Sequence, residues 1–138
     1  MLNFFKKKNN EVLEDPFTKI AALLIHVAKI DENYNQKERE IVKKTLIKLG
    51  SKNENIDELI TKAEEEEENS NQILDFTKEI KNMNEESKLK IVEALWNIIY
   101  SDSKADMYEN SLMRRLTGLI YLDPKIVGDI KKKMINNL

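Results

Sequence analysis

The same arrangement of residues occurs twice in this chain, 71 positions apart: Ile20, Leu24, Val27, Asp31 and Glu38 correspond to Ile91, Leu95, Ile98, Asp102 and Glu109. In each copy an apolar stripe of helical period runs straight into an aspartate. A short polar loop follows, then a glutamate in the first turn of the next helix. Residues three and four apart share one helix face, so each aspartate falls on the core-facing side at its helix end. Two such junctions predict a duplicated helical hairpin whose carboxylates could form a site.

The rest of the chain agrees with helices. Only 3 Gly and 2 Pro occur, and Leu, Ile, Lys, Glu and Asn are abundant, which favours an all-α fold. At 138 residues one domain suffices, burying roughly two-thirds of its unfolded surface. The expected organisation is a flexible N-terminal tail over residues 1–12 and a single helical domain over 13–138. Punctuation divides that domain into about seven helices. The first opens at Asp15-Pro16, a cap followed by proline at the first helical position, and runs to about Ile30. The second opens at Asn35, with Glu38 completing a capping box, and stops at Gly50 as a left-handed cap. The third runs from about Ile56 into the glutamates, the fourth from about Asn71 to Lys81, and the fifth from Asn84 to about Ser101. The sixth starts at Asp106, with Glu109 three residues on, and ends near Tyr121. Asp123-Pro124 opens the seventh, which reaches about Asn136. No segment alternates like a half-buried strand.

The stripes name the core: Phe17, Ile20, Leu24 and Val27 in the first helix and Ile91, Leu95, Ile98 and Ile99 in the fifth. The second helix contributes Ile41, Val42 and Leu46, and the sixth contributes Leu112, Met113 and Leu116. Ile41 and Leu112 again stand 71 apart, so the correspondence continues past the glutamates.

Charge narrows the function classes. Residues 1–50 sum to +3, residues 51–90 to −6 and the remainder to +1. There is no sustained basic stripe, so nucleic acid is not an expected ligand. The acidic excess sits at residues 64–68, five glutamates in succession, which read as a solvated helix end. With no cysteine, disulfides and thiolate metal sites are excluded, and an intracellular setting fits. No apolar run approaches the roughly 20 residues that cross a bilayer. At the N-terminus Phe4 and Phe5 precede Lys6, Lys7 and Lys8, the wrong order for a secretory signal. The expectation is a cytoplasmic protein whose N-terminal residues form a disordered tail of weak membrane affinity.

The carboxylates at the junctions are the residues that need explaining. Glu38 and Glu109 have a sufficient structural role, accepting the cap N–H and favouring the positive helix end. Asp31 and Asp102 do not, because the dipole at a helix C-terminus disfavours negative charge and their stripe directs them inward. Two answers stay open: loop N–H groups or a nearby Arg114 or Arg115, or a bound divalent cation with carboxylate oxygens as hard ligands. An EF-hand is excluded. Its loop needs Gly at position 6 and Glu at position 12, and the chain has Gln36 and Val42 in one copy and Met107 and Met113 in the other. His26, the one histidine, lies beside the apolar stripe and reads as a partly buried structural residue; Trp96 reads as packing. No second type of catalytic group accompanies the carboxylates, so no enzyme is expected.

Two segments resemble a known family. Leu23-Leu24-Ile25-His26-Val27-Ala28-Lys29-Ile30-Asp31, followed by Asn35 and Glu38, is similar to the first signature of TerB-like tellurite-resistance domains: a helix ending in Ala-Asp-Gly, a loop and a Glu. Leu95-Trp96-Asn97-Ile98-Ile99-Tyr100-Ser101-Asp102, then Asp106 and Glu109, resembles the second. The resemblance covers about residues 15–135, and the family's glycine after the aspartate is here Glu32 in one copy and Ser103 in the other. It implies a compact seven-helix bundle with internal pseudo-symmetry and a non-enzymatic bacterial protein associated with tellurite and stress resistance. It further implies a divalent cation at Asp31, Glu38, Asp102 and Glu109, with calcium, magnesium, manganese and zinc all open. The implied partner is a protein, including a membrane protein of the same stress-resistance complex, which would bring a cytoplasmic chain to the inner membrane peripherally. A related module in membrane-anchored DnaJ-like co-chaperones implies the alternative, an interaction scaffold or adaptor with purely structural carboxylates.

Overall fold

Pro16 sets the start of the first helix, since its fixed φ and missing N–H suit that position. In the computed structural model this helix, α1, spans Pro16–Ile30. The structure describes residues 16–30, 34–70, 73–100 and 107–136, with residues 53 and 107–109 described by their backbone alone. The expected tail and the Asp15 cap lie outside them. Six further helices follow: α2 Gln36–Lys48, α3 Ile56–Asn69, α4 Leu74–Ile80, α5 Glu85–Ile99, α6 Met107–Leu119 and α7 Pro124–Asn136. A 3₁₀ turn, Asn53–Asn55, leads into α3. The described residues contain seven α-helices and no strand, an all-α bundle.

α1 is central. Residues 20–25 are all fully buried, with Thr18, Val27 and Ala28 buried beside them, so the helix has almost no solvent face. A helix apolar over nearly all of its surface must be enclosed, and α2, α3, α4 and α5 pack against it. α7 packs on α5, and α6 bridges α7 and α4. The predicted stripes of α2, α5 and α6 line this core, while Phe17 and Ile41 pack partly exposed at its edge. No described helix is long and apolar enough to cross a membrane.

Local chemistry places most helix ends where expected. Asn35 caps α2 by accepting the Lys37 N–H at 2.9 Å, and its own N–H donates to Glu38 Oε1 at 3.3 Å, completing the capping box. Asn84 accepts the Ser87 N–H at the start of α5, and Asp123 accepts the Lys125 N–H at the start of α7. α4 is shorter than its predicted span. It enters through Ile73, which has no capping side chain and is anchored by burial alongside Phe76 and Ile80.

The internal repeat is visible in the backbone. α2 and α6 both have 13 residues, with first and last residues offset by 71. They also end alike. The Gly50 and Ser51 N–H groups return to the Ile47 and Leu46 carbonyls, and those of Tyr121 and Leu122 return to Gly118 and Thr117. Both turns follow the Schellman pattern. The first uses glycine at φ +110°; the second holds Tyr121 at φ +59°, where a side chain is strained.

A Cβ at residue 50 meets nothing within 4 Å, so the left-handed backbone alone sets the cost of a side chain there. Gly50→Ala is expected to lose about 1 kcal/mol, a drop of roughly 2–5 °C in unfolding midpoint. An unchanged midpoint would show that the turn relaxes out of the left-handed region.

Candidate functional site

Of the four predicted site residues, only Glu38 has a described side chain. Asp31 and Asp102 lie outside the described residues. Glu109 is placed by its backbone as the third residue of α6, just as Glu38 is the third of α2. Glu38 is only 2% exposed. A capping-box glutamate explains the residue type but not such burial, because a cap on a helix surface keeps its carboxylate wet. Among the described residues no three His, Asp or Glu side chains gather into a metal-binding group.

The glutamate run corrects the sequence reading. It is the C-terminal half of α3, lying along α1, and three of its five members face chain-borne partners. Glu67 is 8% exposed and on the same face as Ile60 and Ala63. Its two oxygens meet Lys29 Nζ at 2.7 Å and His26 Nδ1 at 3.0 Å. Glu66 pairs with Lys19 at 2.7 Å. Glu64 accepts the Tyr34 hydroxyl at 2.5 Å and the Arg39 Nε–H at 3.4 Å. Arg39 and Lys43 extend the seam to Asp57 at 3.6 and 3.8 Å. Glu65 and Glu68 alone are fully at the surface.

This seam joins α1, α2 and α3 through side chains of opposite charge. Burial by itself would raise the Glu67 carboxyl, but the hydrogen bonds and charges of Lys29 and His26 outweigh it and hold the group below its ordinary range. Burial raises the Tyr34 phenol, and the neighbouring Glu64 carboxylate, as hydrogen-bond acceptor and as charge, raises it further. His26 is half-buried as expected, its ring tilted against Phe76 at 6.1 Å between centroids. The sequence did hold a signal for the seam. Lys19, His26 and Lys29 recur at helical spacing on the flank of α1, and Glu64 and Glu67 do the same on α3.

Glu67→Gln keeps the shape and removes the charge. With Lys29 and His26 about one-third exposed, the expected loss is about 1–2 kcal/mol at neutral pH. A carboxyl whose pKa is lowered by folding contributes fully above its unfolded value and loses that contribution as pH falls through the lower folded value. The gap between the native protein and the variant should therefore be full at pH 7 and close in acid, below the ordinary glutamate range. A gap that persists unchanged in acid urea melts would assign the loss to packing.

A family model described as tellurite resistance protein TerB matches residues 17–132, from the second residue of α1 into the last turns of α7. Comparison with curated proteins and with solved structures gives no match. The match takes in both helix junctions, and the seven-helix all-α architecture accords with it. The chain belongs to the TerB family of tellurite-resistance proteins.

Proposed function

We propose that this protein is a non-enzymatic, stress-associated module that binds a divalent cation through Asp31, Glu38, Asp102 and Glu109. The observation that carries the reading is the burial of Glu38. One 3.3 Å bond from a backbone N–H is a weak offset for taking a carboxylate out of water. A hard cation would supply the missing stabilisation, and carboxylate oxygens are the donors such ions take. The equal placement of Glu109 in α6 supports a second contribution from the repeat. Calcium, magnesium, manganese and zinc are all compatible with oxygen donors. Support for a non-enzymatic role comes from His26, the sole histidine, which is committed to Glu67 in a chain without cysteine. In this reading the protein works in the bacterial cytoplasm beside a protein partner, a membrane component of a stress-resistance complex, and docks peripherally at the inner membrane without nucleic acid.

A second reading, an interaction scaffold with structural carboxylates, is favoured by Tyr121. It is 71% exposed and sits in a backbone conformation strained for its type, a combination often found where a side chain is presented for contact.

Thermal unfolding of EDTA-stripped protein with each of the four ions separates the readings. Saturation at 100 times the dissociation constant adds about 2.7 kcal/mol, and the shift should vanish in Asp31→Asn/Asp102→Asn. It should weaken in Glu38→Gln, which retains a cap-competent side chain. No ion-specific shift in the native protein would leave the scaffold reading.

A further inference from the structure

α5, α6 and α7 enclose a groove of about 370 Å³, lined by none of the residues of the ionic seam. Its volume is in the range of small-molecule sites. The floor is apolar and buried, formed by Trp96, Met113 and Val127. The Trp96 indole N–H donates to the Val127 carbonyl at 3.2 Å, so the ring is held in place. The walls carry two cations, Arg114 and Lys131, and among the described residues the lining contains no aspartate or glutamate. The Lys131 ammonium is held by neutral groups: it donates to Asn110 Oδ1 at 2.9 Å and stands 5.3 Å from the centre of the Trp96 ring. An ammonium has three donors, and among the described residues no carboxylate pairs with it beside the apolar floor.

Gly128 is an independent sign that the groove is kept open. It lies inside α7, where glycine costs about 1 kcal/mol relative to alanine. A Cβ there would meet nothing within 4 Å, so packing does not require the glycine. It lines the groove, and the missing side chain is space available to a ligand.

We propose that this groove binds a small amphipathic monocarboxylate, its carboxylate held by Arg114 and Lys131 and its apolar body lying against Trp96 and Met113. Arg114 supplies a planar pair of donors suited to a carboxylate. Lys131 adds a point charge, and the aromatic and thioether surfaces exclude water from the hydrocarbon.

Trp96 is the sole tryptophan of the chain, so its fluorescence reports on the groove directly. Benzoate and octanoate are titrated against the neutral benzamide and octanamide, and against acetate, with amide chemical shifts recorded in parallel. The expected result is saturable binding of the two longer acids with Kd of about 1 mM or tighter, at least about tenfold tighter than the amides or acetate. Shifts should centre on residues 110–114 and 127–131. Lys131→Gln and Arg114→Gln should each weaken binding about tenfold. Gly128→Leu should abolish it while unfolding at or above the native midpoint, which separates a filled groove from a damaged fold. Equal binding of acids and amides, acetate binding as well as octanoate, full binding by Gly128→Leu, or no saturation would each overturn the proposal.

Discussion

A helix that is apolar on all but one narrow flank cannot lie on a protein surface, and α1 is such a helix. Enclosing residues 20–25 on every side requires several neighbours at once, and α2, α3, α4 and α5 supply them. The same enclosure constrains the few polar groups that α1 carries. Lys19, His26 and Lys29 emerge at the edge of its contact with α3, where water is partly excluded. An acidic partner must stand opposite them, and the glutamates of α3 do. The seam is thus a consequence of burying α1, and it orients α3 along a helix whose apolar surface alone would allow several rotations. Non-directional burial brings the helices together; the ion pairs select one register.

The two halves share a plan and differ in use. α2 and α6 have equal lengths, matching glutamates in the third position and the same pattern of closing hydrogen bonds. In the first half the third helix closes on the central one through charge. In the second, α7 meets α5 around a groove, with Lys131 resting over Trp96 rather than against a carboxylate. The turn after α2 has a glycine where its backbone needs one, whereas the turn after α6 places a tyrosine there. A duplicated scaffold therefore carries separate surfaces, with the junction carboxylates as the feature common to both halves.

Much of the architecture was legible in the sequence. Asn35, Asn84 and Asp123 announced helix starts through side-chain caps, Pro16 and Pro124 through their geometry, and Gly50 announced an end. The start of α4 was not legible, because Ile73 enters the helix by burial and leaves no capping residue to read. Of the candidate site, the capping role of Glu38 was readable and its depth was not. A capping box involves four consecutive residues; burial depends on which distant elements cover them. The glutamate run misled for the same reason, since five adjacent acids resemble a solvated face until a basic flank is known to lie opposite.

By itself the sequence determined the seven helices, most of their ends and the faces they bury, because periodicity and capping act over three or four residues. It also carried the repeat, which needs only a comparison of the chain with itself. The tertiary structure alone decided where charge goes. Glu67 and His26 are 41 residues apart and meet at 3.0 Å only because α3 lies along α1. Lys131 and Trp96 face one another only because α7 lies on α5. Electrostatics depends on separation in space and on access of water, and neither is defined until the helices have packed.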